Sequence, residues 1–190
     1  CQALLDEATV LAAMCYVDLN PMRAGLSETL EDSDFTSVQE RIELLRPGST
    51  SFKHGAIEIT SEDTLQPAPL MSFQPENELA KPANTAPADP STEHLQSMLP
   101  TTLHHYLALV DWTGRQIKKG KRGYIPNDIT PILSRLGVDE KEWVRTVMEF
   151  NKRFRFAAGA LGKLEQWCDA VGRQWIQGRK TAAKLYVQPA

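Results

Sequence analysis

One stretch, YVDLNPMRAG at residues 16–25, closes an apolar helical segment and places two polar groups four residues apart. On a helix this spacing puts the Tyr16 phenol and the Asn20 amide on one face. Pro21 disfavours the helical conformation at Asn20, and Gly25 can adopt the left-handed geometry that closes the following turn. The stretch therefore predicts a phenol and an amide held together near a chain reversal.

Two helices are predicted around this stretch. The first runs from Ala3 to Leu19, where apolar residues recur at spacings of three and four and two acidic residues occupy the first turn. The second starts near Thr36, with Asp34 or Thr36 as its cap, and ends at Arg46. Its inner face is predicted to be Val38, Ile42 and Leu45.

Residues 47–100 have a different composition, rich in Pro, Ser, Thr and Asn, that cannot bury enough apolar surface to fold alone. They are predicted to form an acidic linker. Within it, residues 56–60 can form a short strand, and Leu70–Phe73 can dock on the rest of the chain. A mobile linker throughout is the alternative.

The helical signal returns after residue 100 and predicts an all-α domain of four or five short helices. Thr101 or Thr102 can cap the first of these, which runs toward Ile117, and Asp139 can cap a longer one. A helix at 127–136 would be stopped by Gly137. The last two are predicted over residues 161–171 and around Trp175, Ala182, Leu185 and Tyr186.

The net charge of −3 hides a strong polarity along the chain. Residues 1–100 carry five Lys or Arg and 16 Asp or Glu, a net charge of −11. Residues 101–190 carry 16 and eight, a net charge of +8. Halves of opposite sign indicate that the basic half meets a polyanion, or that the two halves meet each other.

Several protein classes are disfavoured by composition. The chain has no apolar run of 18 residues and no basic-then-apolar leader, so we expect no membrane partner and a cytoplasmic location. The cysteines Cys1, Cys15 and Cys168 are scattered, which argues against a disulfide framework or a zinc site. Cys15 is expected to be a small buried residue and not a reactive thiol.

The stretch at 16–25 resembles the YxxLNPxRAG signature of the REP-associated tyrosine transposases, bacterial relatives of the single-tyrosine insertion-sequence transposases. The resemblance continues through EDSDFTS at residues 31–37. It implies a mainly α chain in three parts. Residues 1–46 would be the C-terminal helical remnant of an α+β ferredoxin-like HUH nuclease domain, 47–100 a Pro-rich linker, and 101–190 a basic all-α C-terminal domain.

The chain departs from that family in its histidines. Members carry a His-hydrophobic-His pair upstream of the tyrosine helix. Here His54, His94, His104 and His105 all follow Tyr16, and none has that spacing. We therefore expect the chain to be the C-terminal portion of such a transposase and to be inactive alone.

The resemblance implies roles for the polar residues of the stretch. Tyr16 would attack a DNA phosphodiester and form a 5'-phosphotyrosine that preserves the bond energy for rejoining. In the intact enzyme, Mg²⁺ or Mn²⁺ held by the HUH histidines would polarise the phosphate, with Asn20 as an oxygen ligand. Alternatively, Asn20 satisfies backbone groups at the helix end. Arg23 would clamp a phosphate or pair with Asp18 or Glu28, and Asp18 is expected to face solvent.

Three basic clusters predict a DNA-binding surface in the second half, because Lys and Arg bind phosphates and aromatic rings stack on unpaired bases. The clusters are Lys118, Lys119, Lys121 and Arg122; Lys152, Arg153 and Arg155; and Arg173, Arg179, Lys180 and Lys184. The interleaved aromatic residues are Tyr124, Phe154, Phe156 and Trp175. Core packing is the alternative for these rings, and solvated surface is the alternative for the charges.

The intact protein implied by the resemblance binds single-stranded or hairpin DNA, cuts it through a tyrosine and rejoins it, and the family suggests a homodimer. Two alternatives stay open. One is a non-catalytic DNA-binding or regulatory module from a decayed mobile element. The other is an α-helical protein-interaction domain in which the basic half folds against the acidic half.

Overall fold

The computed structural model describes residues 2–45, 70–74, 99, 101–117 and 129–187. These residues are mainly helical, which confirms the predicted class. In chain order the elements are β1 (Ala3–Leu4), α1 (Glu7–Asp18), α2 (Asn20–Ala24), α3 (Ser37–Leu44), α4 (Leu103–Ile117), α5 (Ile129–Arg135), α6 (Glu140–Met148), α7 (Phe150–Arg153), β2 (Ala157–Ala158), α8 (Leu161–Ala170) and α9 (Arg179–Leu185).

The start of α1 differs from the prediction of a helix from Ala3. Residues Ala3–Leu4 form a strand that pairs in parallel with Ala157–Ala158, so the helix begins only at Glu7. Asp6 caps it, because its Oδ1 accepts a hydrogen bond from the Thr9 backbone N–H at 3.0 Å. Pairing with a distant strand therefore outweighs the local helical periodicity.

Asp6 also ties the beginning of the chain to its last described helices. Its carboxylate accepts hydrogen bonds from the Ala160 backbone N–H and from the Tyr186 hydroxyl, each at 2.6 Å. Burial and the bond to Asp6 raise the pKa of Tyr186, which keeps this phenol a donor. Gly159 fits closely beside Leu5, since a Cβ there would lie 2.9 Å from the Leu5 Cβ.

The stretch at 16–25 forms two helices separated at Leu19. Helix α1 ends at Asp18, and the five-residue α2 begins at Asn20 with Pro21 in its first turn, where a missing N–H removes no helical hydrogen bond. The expectation that Pro21 keeps Asn20 out of a helix is therefore wrong, because Pro21 starts a new helix. Gly25 ends α2 at φ +72°, the left-handed conformation that was predicted.

One hydrophobic core takes side chains from both ends of the described chain. Helix α1 packs against α4 and α6, and α9 packs against α6. Leu11, Leu19, Tyr106 and Trp143 are fully buried in this core. The proposed boundaries at residues 46 and 101 stay a prediction, but the described parts on either side of them are packed together.

Capping residues and glycines in the sequence predicted the ends of several helices correctly. Thr36, Thr102 and Asp139 each accept a hydrogen bond from the backbone N–H three residues later, at 2.9 to 3.3 Å, as predicted for caps. Gly137 follows α5 at φ +63°. The prediction that the last helix includes Trp175 is wrong: Gly178 adopts φ +120°, and α9 begins only at Arg179.

Part of the acidic linker docks on the fold, as one of the two predicted alternatives. Phe73 is 2% exposed, and its ring stacks on Tyr106 with 5.2 Å between centroids. The Met71 carbonyl accepts a hydrogen bond from the Arg41 guanidinium at 3.0 Å. The predicted strand at residues 56–60 lies outside the described residues.

Candidate functional site

The tyrosine of the motif is held at the surface by contacts with α7. The ring of Tyr16 is half-buried, with 6.1 Å between its centroid and that of Phe150. Its hydroxyl oxygen accepts a hydrogen bond from the Asn151 side chain at 3.0 Å. Both the ring and the hydroxyl of Tyr16 are therefore positioned by residues more than 130 positions further along the chain.

Arg23 brings the three singled-out residues of the stretch together. Its guanidinium carbon lies 4.5 Å from the centroid of the Tyr16 ring, and its Nη1 donates to the Asn20 Oδ1 at 3.1 Å. The short helix α2 produces this arrangement, since it carries Asn20 and Arg23 one turn apart. We call Tyr16, Asn20, Arg23 and Asn151 the tyrosine cluster.

The tyrosine cluster can bind a phosphate beside a phenol. A guanidinium has five N–H donors in a planar fork, and the bond from Arg23 to Asn20 uses one of them. Its position over the ring face gives a cation–π contact that holds it next to Tyr16. A phosphodiester that reaches Tyr16 would therefore meet hydrogen-bond donors and a positive charge.

The structure supports metal binding at Asn20 less well than it supports phosphate binding at Arg23. The amide oxygen already accepts a bond from a cationic side chain, and a divalent ion there would compete with Arg23. Within the described ranges, no group of three or more His, Cys, Asp or Glu residues is arranged to hold a metal. These residues do not by themselves fit Mg²⁺ or Mn²⁺, and the ion expected for the intact enzyme stays a prediction.

Asp18 is not the solvent-facing residue that the sequence led us to expect. It is 1% exposed, and its carboxylate accepts hydrogen bonds from the Tyr106 hydroxyl at 2.5 Å and from the Ser37 backbone N–H and hydroxyl at 2.9 to 3.1 Å. The start of α3 and the side of α4 cover this face of α1, which is why the residue points inward. An ion pair with Arg23 is therefore not its role, and we assign it to the core.

The groups beside Asp18 form a buried polar network. Burial, and after it the neighbouring Cys15 and Asp18, raise the pKa of the Tyr106 phenol, which therefore stays a donor. Burial and the nearby Asp18 also raise the pKa of Cys15, as expected for an inert thiol. Arg41, 2% exposed, lies 4.5 Å from the centroid of Phe73. This network closes the core against the docked linker segment.

The basic residues predicted to bind DNA are only partly described. Lys118, Lys119, Lys121 and Arg122 lie outside the described residues. Arg155 and Arg173 both lie near one aromatic ring, with their guanidinium carbons 5.6 and 4.0 Å from the centroid of Phe156. The other predicted residues meet in one groove of about 550 Å³, lined on its basic side by Lys152, Arg153, Arg179, Lys180 and Lys184.

Two of the groove cations are held by carboxylates. Arg153 bridges Glu142 at 3.2 Å and Glu149 at 3.1 Å, and Arg179 pairs with Glu165 at 2.5 Å. These pairs fix the walls of the groove. The sequence alone also missed Asn151, since no motif surrounds it. Base stacking and core packing were both open for Trp175, which is 68% exposed at this groove.

Comparison with protein-family models, with curated proteins and with solved structures finds no match for this chain. Within the described residues, no helix combines the length and the hydrophobicity that crossing a bilayer requires. The tyrosine cluster and the basic groove are the two surface features of the described residues that bear on function.

Proposed function

We propose that this chain is the DNA-binding C-terminal portion of a REP-associated tyrosine transposase, with residues 1–46 as the helical remnant of its ferredoxin-like HUH nuclease domain. The intact form would cleave and rejoin single-stranded or hairpin DNA. The observation that carries the proposal is the contact of Arg23 with both Tyr16 and Asn20. Three polar residues that the motif shares with that family, Tyr16, Asn20 and Arg23, are thus linked by contacts at a partly exposed surface.

The chemistry assigned to the tyrosine cluster is a transesterification. The Tyr16 oxygen attacks the phosphorus, a tyrosine–phosphorus ester forms, and the bond to the 3' oxygen of the departing strand breaks. The phenolic proton is lost and the departing oxygen gains one, so the number of phosphodiester bonds is conserved. Asn151 donates to the phenolic oxygen, which leaves the hydroxyl proton directed away from it. Arg23 offsets negative charge on the phosphate.

A second candidate is the α-helical protein-interaction domain. The shared core supports it, because side chains of the acidic first part and of the basic last part are buried together. The ion pair between Glu7 and Arg135 joins the same two parts. This candidate predicts negligible affinity for DNA, whereas the transposase proposal predicts salt-dependent binding.

The deciding experiment is binding of the chain to a fluorescent DNA hairpin with a single-stranded tail, from 50 to 200 mM salt. We expect affinity that falls as salt rises, because Lys and Arg displace counterions from phosphates. Arg23→Ala should weaken binding, and Tyr16→Phe should leave it unchanged because it keeps the ring under Arg23. Absence of binding by the unchanged chain would contradict the proposal and favour the protein-interaction domain.

Catalysis needs a separate test, for which the coding sequence immediately upstream of Cys1 is informative. A His-hydrophobic-His pair on a predicted strand there would support an enzyme that uses Tyr16. An in-frame start with no such pair would contradict the catalytic part and favour the decayed, non-catalytic module.

A further inference from the structure

We infer that the groove beside α7 and α9 binds an unpaired DNA strand, with a base stacked on Trp175 and phosphates on Lys152, Lys180 and Lys184. This inference deepens the proposed function and rests on it, since it names the form of DNA and the surface that holds it. The groove measures about 550 Å³, within the size range of small-ligand pockets, and is open to solvent.

The charges of the groove suit a phosphate backbone. Lys152, Lys180 and Lys184 are exposed and, among the described residues, take part in no ion pair. Arg153 and Arg179 are held by carboxylates, which leaves the three lysines as the cations available to an incoming anion. Glu149 also lines the groove, but Arg153 neutralises it at 3.1 Å.

Trp175 selects for unpaired bases. It is 68% exposed, although a tryptophan is usually largely buried. Its indole face can stack on any base, and such stacking tolerates every sequence. In a duplex the bases already stack on each other, so only a single strand offers a free face. Phosphate contacts from the lysines alone would not make this distinction.

The segment that carries Trp175 is fixed before any ligand arrives. The next residue, Ile176, is buried, and the Gln177 side chain donates a hydrogen bond to the Lys152 carbonyl. Gly178 lies so close to Phe154 that a Cβ would be 2.5 Å from its Cδ1. The indole and the lysines are therefore held on one framework, which lowers the entropy cost of binding.

The groove and the tyrosine cluster meet at α7. Lys152 lines the groove, and its neighbour Asn151 donates to the Tyr16 hydroxyl. Consecutive residues of a helix point in different directions, so a strand held in the groove would pass round α7 to reach the phenol. The shared helix is a reason for one chain to carry both features, with the groove holding the strand on which the tyrosine acts.

The test is binding of the full chain to a labelled oligothymidine, to an abasic oligomer of equal length and to a duplex. Trp175→Ala should weaken oligothymidine binding about 5- to 150-fold, the range of one base–aromatic stack. It should leave abasic binding unchanged, because no base is present to stack. Trp175→Phe, which keeps a ring, should restore most of the loss.

The lysines are tested by the salt slope. Lys152→Ala/Lys180→Ala should reduce the slope of log affinity against log salt by about 1.4, since each single-strand phosphate contact contributes about 0.7. The matched control, Lys141→Ala/Lys163→Ala, removes two exposed lysines outside the groove and should reduce it less.

The outcomes separate this inference from the proposed function. If the unchanged chain binds neither single-stranded nor hairpin DNA, the proposed function fails and the inference fails with it. If it binds oligothymidine but the groove variants bind as tightly as the unchanged chain, only the inference is overturned. Tighter binding of duplex than of single strand would also overturn it. Circular dichroism of each variant checks that the fold is intact.

Discussion

The stretch at 16–25 has one exposed face and one buried face, although the residues of the two faces are interspersed along the chain. Tyr16, Asn20 and Arg23 lie at the surface, with Arg23 in contact with the other two, whereas Asp18 and Leu19 are buried. A carboxylate is a common catalytic group, yet the carboxylate of Asp18 forms hydrogen bonds within the core. The chemical type of a residue in the motif therefore does not tell whether it belongs to the functional site or to the core. The packing of distant elements decides this.

The buried face depends on partners supplied by other parts of the chain. A carboxylate leaves water at a high cost unless hydrogen bonds replace its hydration. Tyr106 and Ser37 supply these bonds, and they come from α4 and from the start of α3. Asn20, on the exposed face, keeps its hydration, so it can change with little effect on stability. The predictions below test this contrast.

The largest effect is expected from Asp18→Ala. Removal of the carboxylate leaves the Tyr106 hydroxyl and the Ser37 N–H buried without an acceptor, which should cost about 3 kcal/mol or more in the free energy of unfolding. Urea denaturation measures the loss. Asn20→Ala, on the exposed face two residues away, is the control and should change stability by less than about 0.5 kcal/mol. Equal losses of stability in the two variants would contradict the difference between the buried and the exposed face.

The next largest effect is expected from Phe73→Ala, which removes a buried ring stacked on Tyr106. We expect a loss of about 3 kcal/mol in the free energy of unfolding, as for other buried Phe→Ala changes. Met71→Ala, two residues earlier and 55% exposed, should cost far less. If Phe73→Ala unfolds in urea like the unchanged chain, then the linker segment is not part of the fold.

A smaller effect is expected from pH, through Cys15. Its pKa is raised by burial and by Asp18, so the folded state keeps the thiol neutral while the unfolded state loses the proton near pH 8.5. The free energy of unfolding should keep its full value below about pH 8 and should fall by about 1 kcal/mol by pH 9.5. Urea denaturation from pH 7.5 to 9.5 measures it, and Cys15→Ala should flatten the dependence. An unchanged slope in that variant would mean that Cys15 is not the titrating group.

The smallest effect concerns the exposed face. The coupling energy between Tyr16 and Arg23, from a double-mutant cycle of Tyr16→Leu with Arg23→Ala, should be about 0.5–1 kcal/mol, as for an exposed cation–π pair. Tyr16→Phe keeps the ring, so Arg23→Ala should cost the same in that background as in the unchanged chain. Zero coupling in the Tyr16→Leu cycle would show that the contact does not persist in solution.

Local signals explain what the sequence predicted well. The caps at Thr36, Thr102 and Asp139 depend on residues three positions apart, so the sequence contains the whole interaction. Tyr16 and Asn20 lie on different helices, and the contacts that link them go through Arg23. The position of Arg23 after Pro21 predicted that it lies near them, but the sequence did not decide whether it contacts a phosphate, Asp18 or Glu28.

Long-range packing explains what the sequence did not predict. The direction of Asp18 is set by Tyr106, 88 residues away, and the partner of the Tyr16 hydroxyl is Asn151, 135 residues away. The strand at Ala3–Leu4 exists because it pairs with Ala157–Ala158. None of these pairings leaves a pattern in a single sequence.

The pairing of Ala3–Leu4 with Ala157–Ala158, and of Asp6 with Tyr186, has a consequence for how the protein forms on the ribosome. The groups that pair with β1 and with Asp6 are made some 150 to 180 residues after them. At 5 to 20 residues per second that delay is roughly 10 to 40 seconds. The apolar face of α1 packs against α4 and α6, so it stays uncovered until these helices are made, and aggregation during synthesis should be sensitive to translation speed over the segment that precedes them.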